Sequence, residues 1–231
     1  MTTRKCLLVL LLVFIGSAAA DEETLHRLRQ GEVLTDGGAL KKGVWATMEG
    51  IVDAPPEVVW RLFIRANEWK GYDFPHLIDC RAVDGNVLNE ARDKKKVEDV
   101  YKILGDRVID PLEPRAVRSE WTNYTFQYFN MPWPVANRWY IIQNFADEAR
   151  SREGIYKTRW ESRAGNVRSV TGELLLEPFE GPSKTRLTYR TKVDLGSPIP
   201  RFLLKYGVKK SLPAAMKVIR RESATLSQSP E

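Results

Sequence analysis

The sequence predicts an α+β fold in which a long C-terminal helix covers one face of an antiparallel sheet. Apolar and polar residues alternate over 187–195, which is the pattern of a strand wetted on one face only. Gly196, Pro198 and Pro200 then end the strand, and an apolar-striped helix follows to about Ser223. Pro200 suits the first turn of that helix, because the amide hydrogen it lacks would have no partner there. A helix laid on the dry face of a curved sheet encloses either a packed core or a lipid-sized hollow.

The first twenty residues have the layout of an export signal. Arg4 and Lys5 form a basic start, residues 7–15 an apolar run, and residues 17–20 a small-residue cleavage site. The apolar run is shorter than the roughly 20 residues that span a bilayer, so cleavage after Ala20 is favoured over a retained anchor. We therefore expect an exported, periplasmic protein, although a eukaryotic lumen would require the same kind of signal.

The rest of the chain suits one domain, because no internal repeat or low-complexity linker divides it. We expect an N-terminal segment at 21–39, the folded domain at 40–225 and a disordered tail at 226–231. Cys80 is the single cysteine beyond the leader, so an internal disulfide is excluded. We expect a monomer.

The charge pattern argues against a nucleic-acid partner. The formal net charge is +6, and the longest cationic run is the three lysines at 94–96. That run falls where a turn or sheet edge is expected, and edge lysines discourage aggregation. Export also removes most nucleic-acid partners, so nucleic-acid binding is the less favoured interpretation.

Periodicity divides the domain into short elements. The strand at 44–52 ends at the segment 53–56, and a helix is expected to begin there with proline in its first turn. A further short helix or turn is expected at 69–75. Residues 21–29 suit a short helix and 31–39 an irregular stretch or brief strand. Strands separated by polar or Gly/Pro-bearing turns are predicted at 44–52, 77–84, 95–104, 115–128, 138–147, 154–163, 167–178 and 184–195.

The inward faces of these strands are rich in Tyr and Trp with interspersed Thr, Ser and Asn. Buried Tyr and Trp need partners for their polar tips, and pockets for amphiphilic ligands are lined in this way. A core that simply uses aromatic residues would have the same composition, so both interpretations stay open on this evidence. The strand at 138–147 is apolar on both faces, and its register cannot be assigned from the pattern.

Three segments together resemble the START family of lipid-transfer domains, and the likeness covers roughly residues 40–223. They read PWPVANRWYIIQNF (132–145), GPSKTRLTYRTKVDLGSPIP (181–200) and, at the start, IVDAPPEVVWRLF (51–63). The resemblance implies a helix-grip fold, in which a curved antiparallel sheet of about seven to nine strands wraps around the C-terminal helix and leaves a tunnel between them. It also implies a bound lipid or other hydrophobic molecule. Related helix-grip proteins include aromatic polyketide cyclases.

Two departures from the family are visible. Sterol-binding relatives pair a carboxylate with an arginine inside the cavity, and the matching positions here are Thr125 and Asn144, which are uncharged. The sterol-site chemistry is therefore not carried over, and the ligand class stays open. The family's flexible loop near the tunnel mouth shortens here to about 162–166, which implies a more open mouth or gating by the terminal helix.

The sequence lacks recognisable catalytic, cofactor and metal motifs. His26 and His76 are the only histidines, too few for a zinc set, and pairing of His76 with Cys80 as a nucleophile would need a third, orienting group. The leading expectation is therefore a carrier without catalysis. A cyclase would need a proton-transfer residue in the cavity, for which Asp99 and Tyr101 are the candidates, although Asp99 also fits a bulge that faces water. A ligand-free interaction module of the cell envelope is the third reading.

The terminal helix combines an apolar stripe with a basic surface. One interpretation is a core helix whose basic face is solvated. The other is a gate that rests on anionic headgroups during lipid exchange. Pro213 could act as its hinge, because it removes one backbone hydrogen bond. The predicted ligand-binding residues are Tyr101, Trp121, Asn123, Thr125, Tyr140, Ile142, Asn144, Tyr156, Trp160, Leu174, Leu176, Tyr189, Phe202, Leu203 and Tyr206. Asn144 and Thr125 would orient a polar headgroup or hydroxyl through neutral hydrogen bonds.

Overall fold

The computed structural model describes residues 22–107, 109, 119–131, 135–196 and 206–228. Within these ranges eight strands follow along the chain: β1 (Leu34–Ala39), β2 (Gly43–Val52), β3 (Leu77–Val83), β4 (Glu120–Phe129), β5 (Arg138–Asp147), β6 (Tyr156–Gly165), β7 (Ser169–Pro178) and β8 (Thr185–Asp194). The α-helices of the same ranges are α1 (22–29), α2 (Pro56–Ile64), α3 (Gly85–Ala91), α4 (Val97–Leu104) and α5 (Leu212–Gln228). Short 3-10 helices lie at Ala66–Tyr72 and Ser151–Glu153, and a π-helical turn at Gly207–Ser211 leads into α5.

The strands form one antiparallel sheet in the order β1-β2-β8-β7-β6-β5-β4-β3. β2 pairs with β8 from Gly43 opposite Asp194 to Val52 opposite Thr185, which joins the two ends of the domain in the sheet. The sheet curves, and α2 and α5 pack on its concave face. The predicted α+β fold class, with its C-terminal helix, is confirmed. β1 extends the sheet through its pairing with β2, so residues 34–39 are part of the folded unit.

The strand predicted at 95–104 is wrong, because Val97–Leu104 is helix α4. Its buried residues Val100 and Leu104 are four apart, which suits one face of a helix as well as one face of a strand. Glu98 and Asp99 lie in the first turn and Lys102 in the last, the arrangement that the helix dipole favours. Gly105, at φ +42°, ends the helix.

Helices α3 and α4 pack on the convex face of the sheet and build a second apolar core there. The Asp84 side chain caps α3 by accepting a hydrogen bond from the Val87 amide at 2.8 Å. The helix pair covers Phe126, Trp139 and Ile141, which are fully buried. Strand β5 is apolar on both faces for this reason: alternate residues enter two different cores.

The main core lies between the concave face and helices α2 and α5. Its fully buried side chains include Val59, Leu62, Leu187 and Met216. Gly50 allows α5 to approach the sheet, because a Cβ at this position would lie 2.7 Å from Met216 Cε.

Two arginines fasten α5 to the rest of the fold. Arg220 donates from Nε to the Ile51 carbonyl at 2.8 Å and from Nη2 to the Gly31 carbonyl at 3.1 Å. Arg221 donates to the Tyr72 carbonyl at 2.6 Å. The helix continues to Gln228, beyond its predicted end near Ser223 and into the stretch predicted to be disordered.

At its other end α5 begins at Leu212, but the helical backbone is continuous with the preceding residues from Tyr206 onward, so Pro213 lies within a longer helical stretch and not at its start. The preceding turn is the π-helical one at Gly207–Ser211. Proline and π-helical turns are both places where helices bend, and the hinge at Pro213 stays a prediction. Among the helices that the structure describes, none has the length and apolar character needed to cross a bilayer.

Candidate functional site

A cavity of about 290 Å³ lies between the concave face of the sheet and helices α2 and α5. Its size is near the lower end of the roughly 300–1,000 Å³ typical of small-molecule pockets. Strands β2 to β8 supply one wall, and α2, the Ala66–Tyr72 helix and α5 supply the other. Most of the lining is aromatic or aliphatic, so the space suits a hydrocarbon group.

A small polar cluster interrupts the apolar wall on β4 and β5. Asn144 Nδ2 donates to Asn123 Oδ1 at 2.8 Å and to Thr125 Oγ1 at 3.0 Å. The register explains this contact, because Asn144 stands opposite Asn123 and Thr125 is the next inward residue of β4. With both Nδ2 hydrogens used, the carbonyl oxygen of Asn144 is the atom of this side chain that can accept a hydrogen bond from a ligand.

The cavity is uncharged. No Asp, Glu, Lys, Arg or His is among the described residues that line it. Its titratable members are Tyr140 and Tyr189, which lie deep inside the protein even though each keeps some surface toward the cavity. Burial raises the pKa of both phenols above the ordinary tyrosine value, so both are neutral near pH 7. An ionised group placed here would lose its hydration without gaining a charged partner.

Flat aromatic rings give the cavity its shape. Trp160 stacks on Tyr189 with ring centroids 5.4 Å apart, and its indole lies over Gly172 on the neighbouring strand. Phe129 stacks on Tyr140 with centroids 5.6 Å apart. Of these rings, strand alternation placed Trp160 and Tyr189 on the inward face.

Nine of the fifteen predicted binding residues line the cavity; their role in ligand binding stays a prediction. They are Trp121, Asn123, Thr125, Tyr140, Ile142, Asn144, Trp160, Leu174 and Tyr189. Phe202 and Leu203 lie outside the described residues.

Four predicted residues lie elsewhere. Tyr101 is carried by α4 to the convex face, where its ring packs edge-on against Phe126 at 5.7 Å; it was placed inward because its segment was read as a strand. Tyr156 and Leu176 belong to the packed main core and are absent from the cavity wall. They share the inward face, but lie beyond the end of the hollow. Tyr206 is 38% exposed and packs against the ring of His76 at 5.6 Å.

The sequence pattern missed the wall that comes from the N-terminal half of the domain. Trp60 and Phe63 of α2 and Trp69 and Phe74 beyond it all line the cavity. Trp69 is held in place by an Nε1 hydrogen bond of 2.9 Å to the Leu62 carbonyl. A signal was present, because five aromatic residues occur between positions 60 and 74, but helical spacing alone did not indicate which surface they would face.

The residues considered for catalysis are not brought together. Asp99 forms an exposed ion pair with Lys102 at 3.3 Å on α4, and Tyr101 lies on the same helix, on the far side of the sheet from the cavity. Cys80 is 1% exposed, and burial raises the pKa of its thiol, which disfavours the nucleophilic thiolate. Within the part of the chain that the structure describes, no cluster of three His, Cys, Asp or Glu residues could hold a metal ion.

The segment at 162–166, expected as a shortened loop, is mostly strand. β6 extends to Gly165, and the Asn166 side chain accepts from the Trp139 amide at 2.9 Å and donates to the Asn137 carbonyl at 3.2 Å. These hydrogen bonds fasten the turn to the sheet, so it is not a free flap.

Comparison with solved structures identifies the architecture. A STAR-related lipid transfer protein from Xanthomonas axonopodis superposes with a TM-score of 0.56 at 16% identity, over 85% of this chain and 94% of its own. Human STARD10 gives a TM-score of 0.55 at 15% identity, over 84% of this chain and 69% of its own. Human StAR-related lipid transfer protein 5 gives 0.53 at 10% identity, over 94% and 98%.

The likeness is one of fold, because the identities lie far below the level at which function can be transferred. No family model and no curated protein matches the sequence. The eight-stranded curved sheet, the helix across its concave face and the agreement with these structures identify the chain as having the START-like helix-grip fold.

Proposed function

We propose that this protein binds one lipid or similar hydrophobic molecule in the internal cavity and carries it through an aqueous compartment without chemical change. The observation that supports this proposal is the apolar cavity, with its neutral Asn123–Thr125–Asn144 cluster and no charged side chain among the described lining residues. Burial of a methylene is worth about 0.8 kcal/mol, so a long acyl chain crosses water slowly unless a protein covers it. Two of the solved structures of the same fold, the one from Xanthomonas axonopodis and the human protein 5, are named as lipid transfer proteins.

The same cluster indicates which polar group the ligand carries. Asn144 and Thr125 make neutral hydrogen bonds, and the described residues of the surrounding wall include no cation that could balance a carboxylate or phosphate. We therefore propose that the part of the ligand inside the cavity ends in a hydroxyl, ester or amide. A charged headgroup, where the ligand has one, would stay outside the wall.

The placement of Asp99 and Tyr101 is why we propose carriage rather than cyclisation. A cyclase needs a proton-transfer group within hydrogen-bond reach of its substrate, and both candidates lie across the sheet from the cavity. The export signal supports a periplasmic site of action. On the terminal helix, Lys209, Lys210 and Lys217 are exposed, and each cation near an anionic membrane surface would contribute about 1 kcal/mol to transient docking.

The proposal is tested by extracting the purified protein and identifying the bound molecule by native mass spectrometry. Binding is then measured with two probes of equal chain length, octadecanol and octadecanoic acid, at neutral pH. We expect octadecanol to bind more tightly, because its hydroxyl can bond to Asn144 and stays neutral. Asn144→Leu should weaken octadecanol binding by about tenfold, the value of one good hydrogen bond.

The matched control is Gln143→Leu, the neighbouring residue on β5. Its side chain points to the other face, where it accepts from Arg163 Nε at 2.8 Å, so octadecanol affinity should stay unchanged. A protein that neither co-purifies with a hydrophobic molecule nor binds either probe would contradict the proposed function. Tighter binding of octadecanoate than of octadecanol would contradict only the proposal that the polar group inside the cavity is neutral.

A further inference from the structure

Beyond one end of the cavity a second hollow opens on the surface. This groove has a volume of about 640 Å³ and is lined by α2 along its length, the turn after β5, the first residue of β6 and the last turn of α5. Its apolar lining includes Val58, Ile64, Tyr156 and Leu226, and its charged lining residues are Glu57, Arg61 and Glu148. Trp60 and Ile64 line both spaces. The indole of Trp60 is thus a wall with the cavity on one side and the groove on the other.

Aromatic contacts hold this wall on both sides. On the groove side, Tyr156 stacks on Trp60 with centroids 5.5 Å apart and planes inclined by 24°. On the cavity side, Trp121 meets it edge-on, with centroids 6.4 Å apart and planes at 62°. Trp60 is 4% exposed. A large flat ring sandwiched in this way cannot swing aside without breaking both contacts.

A single carboxylate oxygen ties the two indoles together. Glu148 Oε1 accepts from Trp60 Nε1 at 2.9 Å and from Trp121 Nε1 at 2.8 Å. Hydrogen bonds to an ionised acceptor are about twice as strong as neutral ones. Because these bonds satisfy both indole N–H groups, neither ring has to turn toward the groove to form a hydrogen bond with water.

The backbone around Glu148 is itself fixed. Its amide donates to the Ser119 carbonyl at 2.7 Å, and the Asp147 side chain accepts from the Ala149 amide at 3.0 Å. The carboxylate therefore comes from a rigid turn directly after β5, and it holds Trp60 of α2 against Trp121 of β4.

We propose that Trp60, held by Glu148, is the stop that sets the longest hydrocarbon chain the cavity accepts, and that the groove behind it would receive a longer chain once the ring is removed. This proposal rests on the proposed function and adds its length specificity. Trp60 would be the specificity-determining residue and Glu148 a positioning residue that acts through the two indoles.

The physical consequence is a break in the dependence of affinity on chain length. Each methylene that enters the cavity should strengthen binding by about fourfold. Once the tail reaches Trp60, a further methylene stays in water or clashes, and the gain ends. In a protein without the stop, the rise continues to longer chains.

The experiment uses a series of monoacylglycerols from decanoyl to behenoyl in phosphatidylcholine vesicles, incubated with the mature protein, with the retained species measured by native mass spectrometry. For Trp60→Leu we expect the break to shift to longer chains, by two methylenes or more, with the affinity for short chains changed less than about fourfold. Trp139→Leu is the matched control. It removes an equally buried indole on the convex face and should leave the break in place.

Glu148 variants give a second test that does not depend on the larger core substitution. Glu148→Ala removes the shared acceptor. Longer chains should then enter, and the break in the dependence of affinity on chain length should become less distinct. Glu148→Gln keeps an oxygen in the same place and should restore the wild-type profile. Thermal unfolding of every variant shows which proteins are folded under the assay conditions.

The outcomes separate the two proposals. Wild-type protein that binds no monoacylglycerol of any length, in an assay that detects binding to a positive-control carrier, contradicts the proposed function. Wild-type protein that shows a break which stays at the same chain length in folded Trp60→Leu and Glu148→Ala overturns the length stop and leaves the carrier function standing. A shift in Trp139→Leu as large as in Trp60→Leu also overturns it, because the effect would then follow from general loosening.

Discussion

At the scale of single residues, the cavity depends on small or neutral side chains at a few places. The uncharged character of positions 125 and 144 was readable from the sequence. The contact between Asn144 and Asn123 depends on the register of β4 against β5. Gly172 lies next to the Trp160 indole on the neighbouring strand, and its lack of a side chain leaves room for that ring.

Gly172→Ala should fill part of the cavity and lower stability. A Cβ there would lie 2.3 Å from Trp160 Cζ2 and 2.5 Å from the Arg190 carbonyl oxygen, so the indole must tilt into the hollow. Overpacking of this kind costs about 1–3 kcal/mol, and octadecanol binding should weaken. Urea unfolding and probe titration measure the two effects.

Gly71→Ala is the control for that substitution, since a Cβ at Gly71 meets nothing within 4 Å. Its free energy of unfolding and its affinity should stay at the wild-type values. Equal losses in the two alanine variants would mean that backbone freedom, rather than the space under Trp160, accounts for the effect.

At the scale of elements, α4 and α5 show what local patterns determine. In α4 the apolar residues fit both a helix and a strand, and the choice was decided by packing on the convex face. In α5 the apolar stripe predicted for the terminal helix includes Leu212, Ala215 and Ile219. These three residues face the sheet and line the cavity. What the stripe did not reveal is that arginines hold the C-terminal half of the helix to backbone carbonyls.

Arg220→Met should lower the free energy of unfolding by about 1–3 kcal/mol, because it leaves the carbonyls of Ile51 and Gly31 without this donor. The aliphatic part of the side chain is kept, so the loss measures the hydrogen bonds rather than packing. Urea unfolding gives the free-energy difference. Lys217→Met, at an exposed site of the same helix, should change stability by less than about 0.5 kcal/mol.

If Arg220→Met and Lys217→Met lowered the free energy of unfolding by similar amounts, this role for Arg220 would be contradicted. The loss of a positive charge from the helix would then be enough to explain both effects. Arg220 itself has a pKa lowered by burial, but its guanidinium stays protonated at any ordinary pH.

At the scale of the whole molecule, the sheet is covered on both faces, by α2 and α5 on the concave side and by α3 and α4 over part of the convex side. Neutral titratable groups lie within this double-sided structure. Burial raises the pKa values of Tyr140, Tyr189 and Cys80. In the unfolded chain the same groups ionise near pH 10 for tyrosine and about 8.5 for cysteine.

The sign of the resulting pH dependence follows directly. An acid whose pKa is raised by folding stabilises the fold fully below its unfolded pKa, and that contribution is lost as the pH rises above it. We expect the free energy of unfolding to decline from about pH 8.5 upward, with each ionising group adding at most about 1.4 kcal/mol per pH unit.

Urea unfolding between about pH 8 and about pH 11 measures this decline, and Tyr140→Phe should make it shallower above about pH 10 because one ionising group is gone. A free energy that stays constant to about pH 11, or a slope that is unchanged in Tyr140→Phe, would contradict the assignment of these buried phenols.

The sequence by itself determined the order and type of most elements, because alternation, proline and glycine positions and capping residues act locally. It also determined that the inward faces carry Tyr, Trp and neutral polar groups, and seven predicted binding residues of these types do line the hollow. Only the tertiary structure decided that α4 is a helix on the convex face, that Tyr101 lies far from the cavity and that Trp60 lines both the cavity and the groove beside it. Those outcomes depend on how far α2 and α5 stand from the curved sheet and on which surface offers an apolar partner, and both are set by contacts between residues distant in the chain.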